Sequence, residues 1–270
     1  MAIFKMFADS AKELKSLRCI TVTAMMIALN LALKSVTIYV TDDLKISFSY
    51  LALATIGMLF GPTVGFLAGA VTDILGLLVQ QMLSAFNPLY TIVEATGGLL
   101  YGLFLYKLQP VKFSKDMFKS SGDQNTAMLS GINAKLLSVF MVLTVFVLHS
   151  IYQFDALFVV YVIVIAFVYG IFLHKLAALP WKQLLRVIGA KVSVAFVCNI
   201  VMTPAVMVIL GTWAPEVALT VKIPLRLVKN AIQVPVDIMI LILVLFPIMA
   251  AYKRIFKNST AAKSEKATKA

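Results

Sequence analysis

The sequence predicts an all-α polytopic membrane protein, a helical bundle of about eight spans, and three observations lead there. Of its 270 residues 61% are hydrophobic and only 13% charged, with a mean hydropathy of +0.96. A soluble domain of this size has no use for so much apolar surface. Apolar segments recur at roughly 19–40, 46–60, 62–83, 88–106, 136–152, 156–174, 187–211 and 226–252, most of them close to the ~20 residues needed to cross a bilayer. The basic residues are also grouped. Nineteen of the 24 lie before the first span, between the fourth and fifth, between the sixth and seventh, or after the last. With eight spans these groups share one side, and the positive-inside rule makes that side the cytoplasm, with both termini inside. The net charge of +12 is therefore a topology signal that calls for no nucleic acid.

Residues 1–18 read as a short amphipathic helix on the inner membrane surface, with no h-region and cleavage site of a removable leader. In the first span Ala24, Ala28 and Ala32 form a small-xxx-small seam that allows another helix to approach closely, and spacing alone favours a helix of the same chain over a partner's. Asn30 and Lys34 lie about 200° round the helix from it, on a polar face toward the outer end. The outer loop VTDDLKISFSY is the most polar on that side and contributes Lys45 as a candidate contact, although solvation of a turn also explains it.

The second segment is short for a span, so a tilted, broken or partial crossing is expected. Gly61-Pro62 then predicts a tight cytoplasmic hairpin into the third span. Gly61, Gly65, Gly69 and Asp73 recur every fourth residue, which flattens one face for close packing and puts Asp73 on it near mid-membrane. A buried aspartate there serves a site or merely caps a neighbouring helix. The fourth span repeats the spacing with Glu94, Gly98 and Gly102. Glu94, six residues in from Pro88, lies roughly 9 Å deep.

Residues 108–133 are Ser/Lys-rich and read as a flexible cytoplasmic linker. The fifth and sixth spans are plain, and His149 and His174, at opposite ends of two helices, make no metal site. The isolated Cys19 and Cys198 give neither a disulfide framework nor metal spacing. The seventh span sets Asn199 and Thr203 four apart, and Pro204 kinks it and frees backbone carbonyls. Lys175, Lys182, Arg186 and Lys191, before or at its start, count among the cytoplasmic charges, and residues 253–270 read as a basic disordered tail.

In the last span Arg226, Asn230, Gln233 and Asp237 fall on one helical face, with Lys229 at its border. Each charge at bilayer depth costs about 2.5–3.5 kcal/mol even on lenient insertion scales, so this stripe should face helices or a wet cavity. Snorkelling of Arg226 and Lys229 to the headgroups is the alternative. The candidate solute-binding set is thus Asn30, Lys34, Lys45, Asp73, Glu94, Asn199, Arg226, Lys229, Asn230 and Asp237. Cations at the mouth suit carboxylates; amides and acids suit a heterocycle. There is no nucleophile–base pairing, HExxH or phosphate-cradling loop, so neither an enzyme nor a cofactor is expected. With no ATP-binding motif, an ion gradient or a partner must supply any driving energy.

Three runs carry a resemblance: LKISFSYLALATIGMLFGPTVGFLAGAVTDILGLL, TIVEATGGLLYGLFLYK and PLRLVKNAIQVPVDIMILIL with its preceding span. Over about 18–108 and 182–252 the chain resembles the substrate-binding S components of energy-coupling factor (ECF) vitamin transporters, most closely the folate-type branch. The resemblance implies a subunit that captures a vitamin from outside and pairs with a transmembrane coupling protein and two ATPases. It also implies that Ala24, Ala28 and Ala32 dock on the coupling protein. Such S components usually have six spans, so the stretch 109–181 looks like an insertion into the 19–252 transmembrane domain. A stand-alone ion-coupled carrier, and a membrane enzyme or scaffold, are the competing readings.

Overall fold

The computed structural model describes residues 2–35, 38–41, 44–82, 84, 86–108 and 181–268, so the expected linker and the fifth and sixth spans lie outside the described residues. In chain order the elements are α1 (Ala2–Glu13), α2 (Leu17–Ser35), β1 (Ile38–Thr41), β2 (Leu44–Ile46), α3 (Tyr50–Phe60), α4 (Pro62–Val79) and α5 (Pro88–Leu105). After the gap come α6 (Trp181–Val194), a π-helical stretch (Ala195–Met202) and α7 (Thr203–Ile209). The short α8 (Pro215–Val217) and a further π turn (Ala218–Lys222) lead into α9 (Ile223–Thr268). Among the described residues five helical segments are long and apolar enough to cross a membrane: 17–35, 62–79, 88–105, 183–209 and 233–255. They correspond to five of the expected spans, and α3 is the short sixth.

Local chemistry sets the boundaries. Gly61 takes φ +91°, a backbone that side chains with a Cβ rarely adopt, and Pro62 starts α4 where its missing N–H costs nothing. Pro88 opens α5 in the same way, with the Asn87 carboxamide oxygen accepting from Leu89 N at 3.0 Å. The polar outer loop closes as an antiparallel ladder of β1 on β2, pairing Ile38 with Ile46 and Tyr39 with Lys45. At the other end α9 runs on to Thr268, through the residues expected to form a disordered tail. That segment is rich in Ala and Lys, which are strong helix formers.

The glycine repeats of α4 and α5 face each other. A Cβ on Gly65 would strike the Gly98 carbonyl, and one on Gly98 would strike that of Gly65. Gly69 lies against the Glu94 carbonyl, 2.6 Å from where its Cβ would be, and Gly102 lies on the Pro62 backbone. Two antiparallel backbones thus touch along their length, the packing that small residues allow in a membrane. Asp73 continues the ladder one turn further by accepting from the Thr91 hydroxyl at 2.7 Å. Beneath this pair Phe60, Val64, Leu105, Leu241, Leu245 and Phe246 form the fully buried core.

The α3–α4 turn is held by α1. Buried Ser10 donates to the Phe60 carbonyl at 2.7 Å and accepts from the amides of Thr63 (3.1 Å) and Val64 (3.3 Å). Gly61 has no side chain to cap α4, and Ser10 supplies the cap from a distant helix. Ser10→Ala should therefore cost about 1–2 kcal/mol, read as a lower melting temperature of the purified protein. An unchanged melting temperature would mean that lipid or water satisfies those amides equally well.

Candidate functional site

α3 has 11 residues, about 16 Å of helix, roughly half of a ~30 Å hydrocarbon core. It rises from the Gly61 turn and stops part-way. Above its first residues lies a cavity of about 520 Å³, walled by α3, α4, α5, α6, the π stretch, α7 and α9. That volume is within the ~300–1,000 Å³ of small-molecule sites.

The π stretch ahead of Pro204 shapes one wall. In the π stretch the Thr203 amide bonds to the Cys198 carbonyl, five residues back. By the same pattern the Asn199 carbonyl would need the amide of residue 204, and proline has none. Arg226 takes that orphaned acceptor, its Nη1 donating to it at 3.1 Å. Asn199 Nδ2 donates to Asn230 Oδ1 at 3.1 Å, and Asn230 Nδ2 donates to the Arg226 carbonyl at 2.8 Å. This closed ring locks the polar stripe of α9 onto the π stretch. The guanidinium also lies 5.3 Å from the centre of the Trp213 ring, within cation–π reach.

Of the ten solute-binding candidates, Asp73, Glu94, Asn199, Arg226, Lys229 and Asn230 line this cavity. Lys34 stands behind Glu94, with Nζ 3.2 Å from Oε1. Asn30 is buried and donates to the Ser49 carbonyl at 2.8 Å, anchoring the loop that leads into α3. The Lys45 side chain lies outside the described residues. Asp237 sits below the cavity in an ion pair with Lys191, Nζ to Oδ2 2.7 Å. Counting Lys191 among the cytoplasmic charges is thus corrected: it is inside the bundle, 6% exposed. It remains there because Asp237 neutralises it and the Tyr50 ring lies 3.8 Å from its Nζ.

A family model for the S component of ECF-type riboflavin transporters matches residues 14–157, just over half of the chain. The chain belongs to that family. This S component is also similar to the folate transporter FolT of Clostridium novyi (strain NT), 29% identical over 93 residues, which are 34% of this chain and 54% of that protein. FolT of Streptococcus mutans serotype c is 36% identical over 85 residues, 31% of this chain and 45% of its own. The alignments therefore span about half the length of these curated relatives. A solved structure described as FolT bound with folic acid superposes with a TM-score of 0.50 at 20% identity, covering 84% of this chain and 91% of that one. At that identity the likeness concerns the fold. The family makes this S component a multi-pass membrane transport protein rather than an enzyme.

Several cavity residues carried no sequence signal. Tyr50, Tyr90, Tyr101 and Trp213 line the S component's cavity, yet in a sequence they are indistinguishable from aromatic anchors at the membrane interface. The Tyr90 hydroxyl donates to Met207 Sδ at 2.9 Å, joining α5 to α7. Gln233 was legible as part of the α9 stripe, and it too reaches the cavity.

Proposed function

We propose that this S component captures a folate-type vitamin from outside the cell and delivers it to an ATP-driven ECF complex. One observation carries the reading: a cavity of vitamin size presents carboxylates on the α4–α5 wall, Asp73 and Glu94, and cations on the α9 wall, Arg226 and Lys229. A pterin offers an amidine edge whose N–H groups suit carboxylates, and its glutamyl tail offers carboxylates that suit arginine and lysine. Aromatic Tyr50, Tyr90, Tyr101 and Trp213 supply stacking faces for a flat ring between them. The FolT relatives point the same way.

Riboflavin is the second reading, favoured by the description of the family model. It has a flat ring but no carboxylate, so it leaves Arg226 and Lys229 without a counter-charge in the ligand. Titration of the detergent-purified chain decides between them, because Trp213 in the cavity wall reports occupancy by its fluorescence. Saturable quenching is expected with folic acid and not with riboflavin. Arg226→Glu should weaken folic acid binding at least about 30-fold, the equivalent of roughly 2 kcal/mol for a lost buried charged hydrogen bond. Binding of riboflavin alone would reverse the assignment, and an unaffected Arg226→Glu variant would remove that residue from the site.

The partner contact belongs to the same proposal. Ala24, Ala28 and Ala32 are all exposed on α2, while Asn30, on the other face, is buried. Among the described residues α2 is the least covered span, with 11% of its residues buried against 22% to 44% in the other four. A flat alanine face left open on one helix suits a transmembrane partner.

A further inference from the structure

We infer that the floor of the cavity is a subsite for the oxo-bearing edge of a neutral heterocycle, read by Lys191 together with the hydroxyls of Tyr50 and Tyr101. The inference rests on the vitamin-binding reading and adds which edge of the ring enters first.

Tyr101 is 1% exposed, lines the cavity, and its hydroxyl has no hydrogen-bond partner among the described residues. The Tyr50 hydroxyl, also at the cavity, lies near Asp237 but completes no hydrogen bond of good geometry among the described residues. A buried hydroxyl left unpaired is costly, so two of them beside one hollow call for a polar atom brought by something else. Lys191 is the third member. Its ammonium carries three donors and no acceptor, and Asp237 Oδ2 is its counter-ion at 2.7 Å. The ring of Tyr50 covers another side, with its centre 3.8 Å from Nζ.

This pairing decides the chemistry. Asp237 has already neutralised Lys191, so the floor offers no net positive charge to an anion. It offers oriented dipoles: a lysine that only donates and two hydroxyls that turn to suit. A ring carbonyl satisfies all three. A ring amine in its place satisfies the hydroxyls but points its N–H groups at a donor. The ligand's carboxylates are then left for Arg226 and Lys229 on the α9 wall.

The test compares folic acid with its 4-amino analogue, which differs in having an amine where the pterin has its ring carbonyl. Binding of both is measured by tryptophan fluorescence on the full chain in detergent. The paired variant Lys191→Met/Asp237→Leu removes both charges at once, so no lone ion is left buried. The unaltered chain should prefer folic acid by about tenfold or more, and the paired variant should still bind while losing most of that preference. Equal binding of the two compounds by the unaltered chain, or a preference that survives the paired variant, overturns the inference. If neither compound binds, the folate reading itself fails and the inference with it. Should the paired variant not fold, Tyr101→Phe decides. A hydroxyl that waits for ligand predicts weaker folic acid binding together with a melting temperature that holds or rises. Unchanged affinity overturns the inference.

Discussion

Gly98→Ala is expected to abolish the folded protein, while the same change one residue earlier leaves it intact. A Cβ on Gly98 would run into the Gly65 carbonyl, which belongs to a helix backbone and has no rotamer to change. Among the described residues a Cβ on Gly97 would meet nothing nearer than Cys198 Sγ at 3.8 Å, an ordinary contact. Overpacking against movable side chains typically costs about 1–3 kcal/mol. Here α4 and α5 must separate along the whole glycine seam, so the cost should lie at or above the top of that range. Asp73–Thr91 lies on the same seam, so the cavity wall would be lost with it. The measurement is the fraction of each variant that elutes as a single monodisperse peak after detergent extraction. A sharp peak for Gly98→Ala would mean that the helices slide apart cheaply and that the seam does not set their spacing.

That seam was legible because a repeat of small residues every fourth position has one physical use, the close approach of backbones. The polar stripe Arg226, Asn230, Gln233, Asp237 was legible for a related reason: lipid does not tolerate it, so it must turn inward. Periodicity gives the face of a helix, however, and not the neighbour that meets it. Asp237 could be assigned to the interior, but its partner Lys191 could not, since a lysine near a span end is also what the positive-inside pattern produces. Pro204 announced a kink, but only three-dimensional placement shows the Arg226 guanidinium filling the gap it leaves at Asn199. The tyrosines of the floor were hidden by the frequency of tyrosine at membrane interfaces. The shortness of α3 was visible as a segment with too few residues to cross, whereas its consequence, an open hollow above a half-length helix, required the bundle around it.

The other large effect expected separates capture from transport. Ala28→Trp should leave folic acid binding unchanged and reduce ATP-driven uptake by about tenfold or more in vesicles that contain the coupling protein and the ATPases. Ala28 is exposed between Ala24 and Ala32, and so are Met25 and Leu29 on the same helix. Ala28 is exposed, so an indole placed there starts outside the described core, and the bundle and its cavity have no reason to change. What it removes is flatness. Helices that meet on alanine come close enough for their backbones to pack, and one large ring at the centre of the face holds them apart. The proposed binding residues of α9 and the proposed docking residues of α2 belong to different helices, so the two functions should fail independently. Full uptake by this variant would assign the alanine repeat to contacts within the chain, and residues 109–180 would then be the part of the sequence in which to seek its partner.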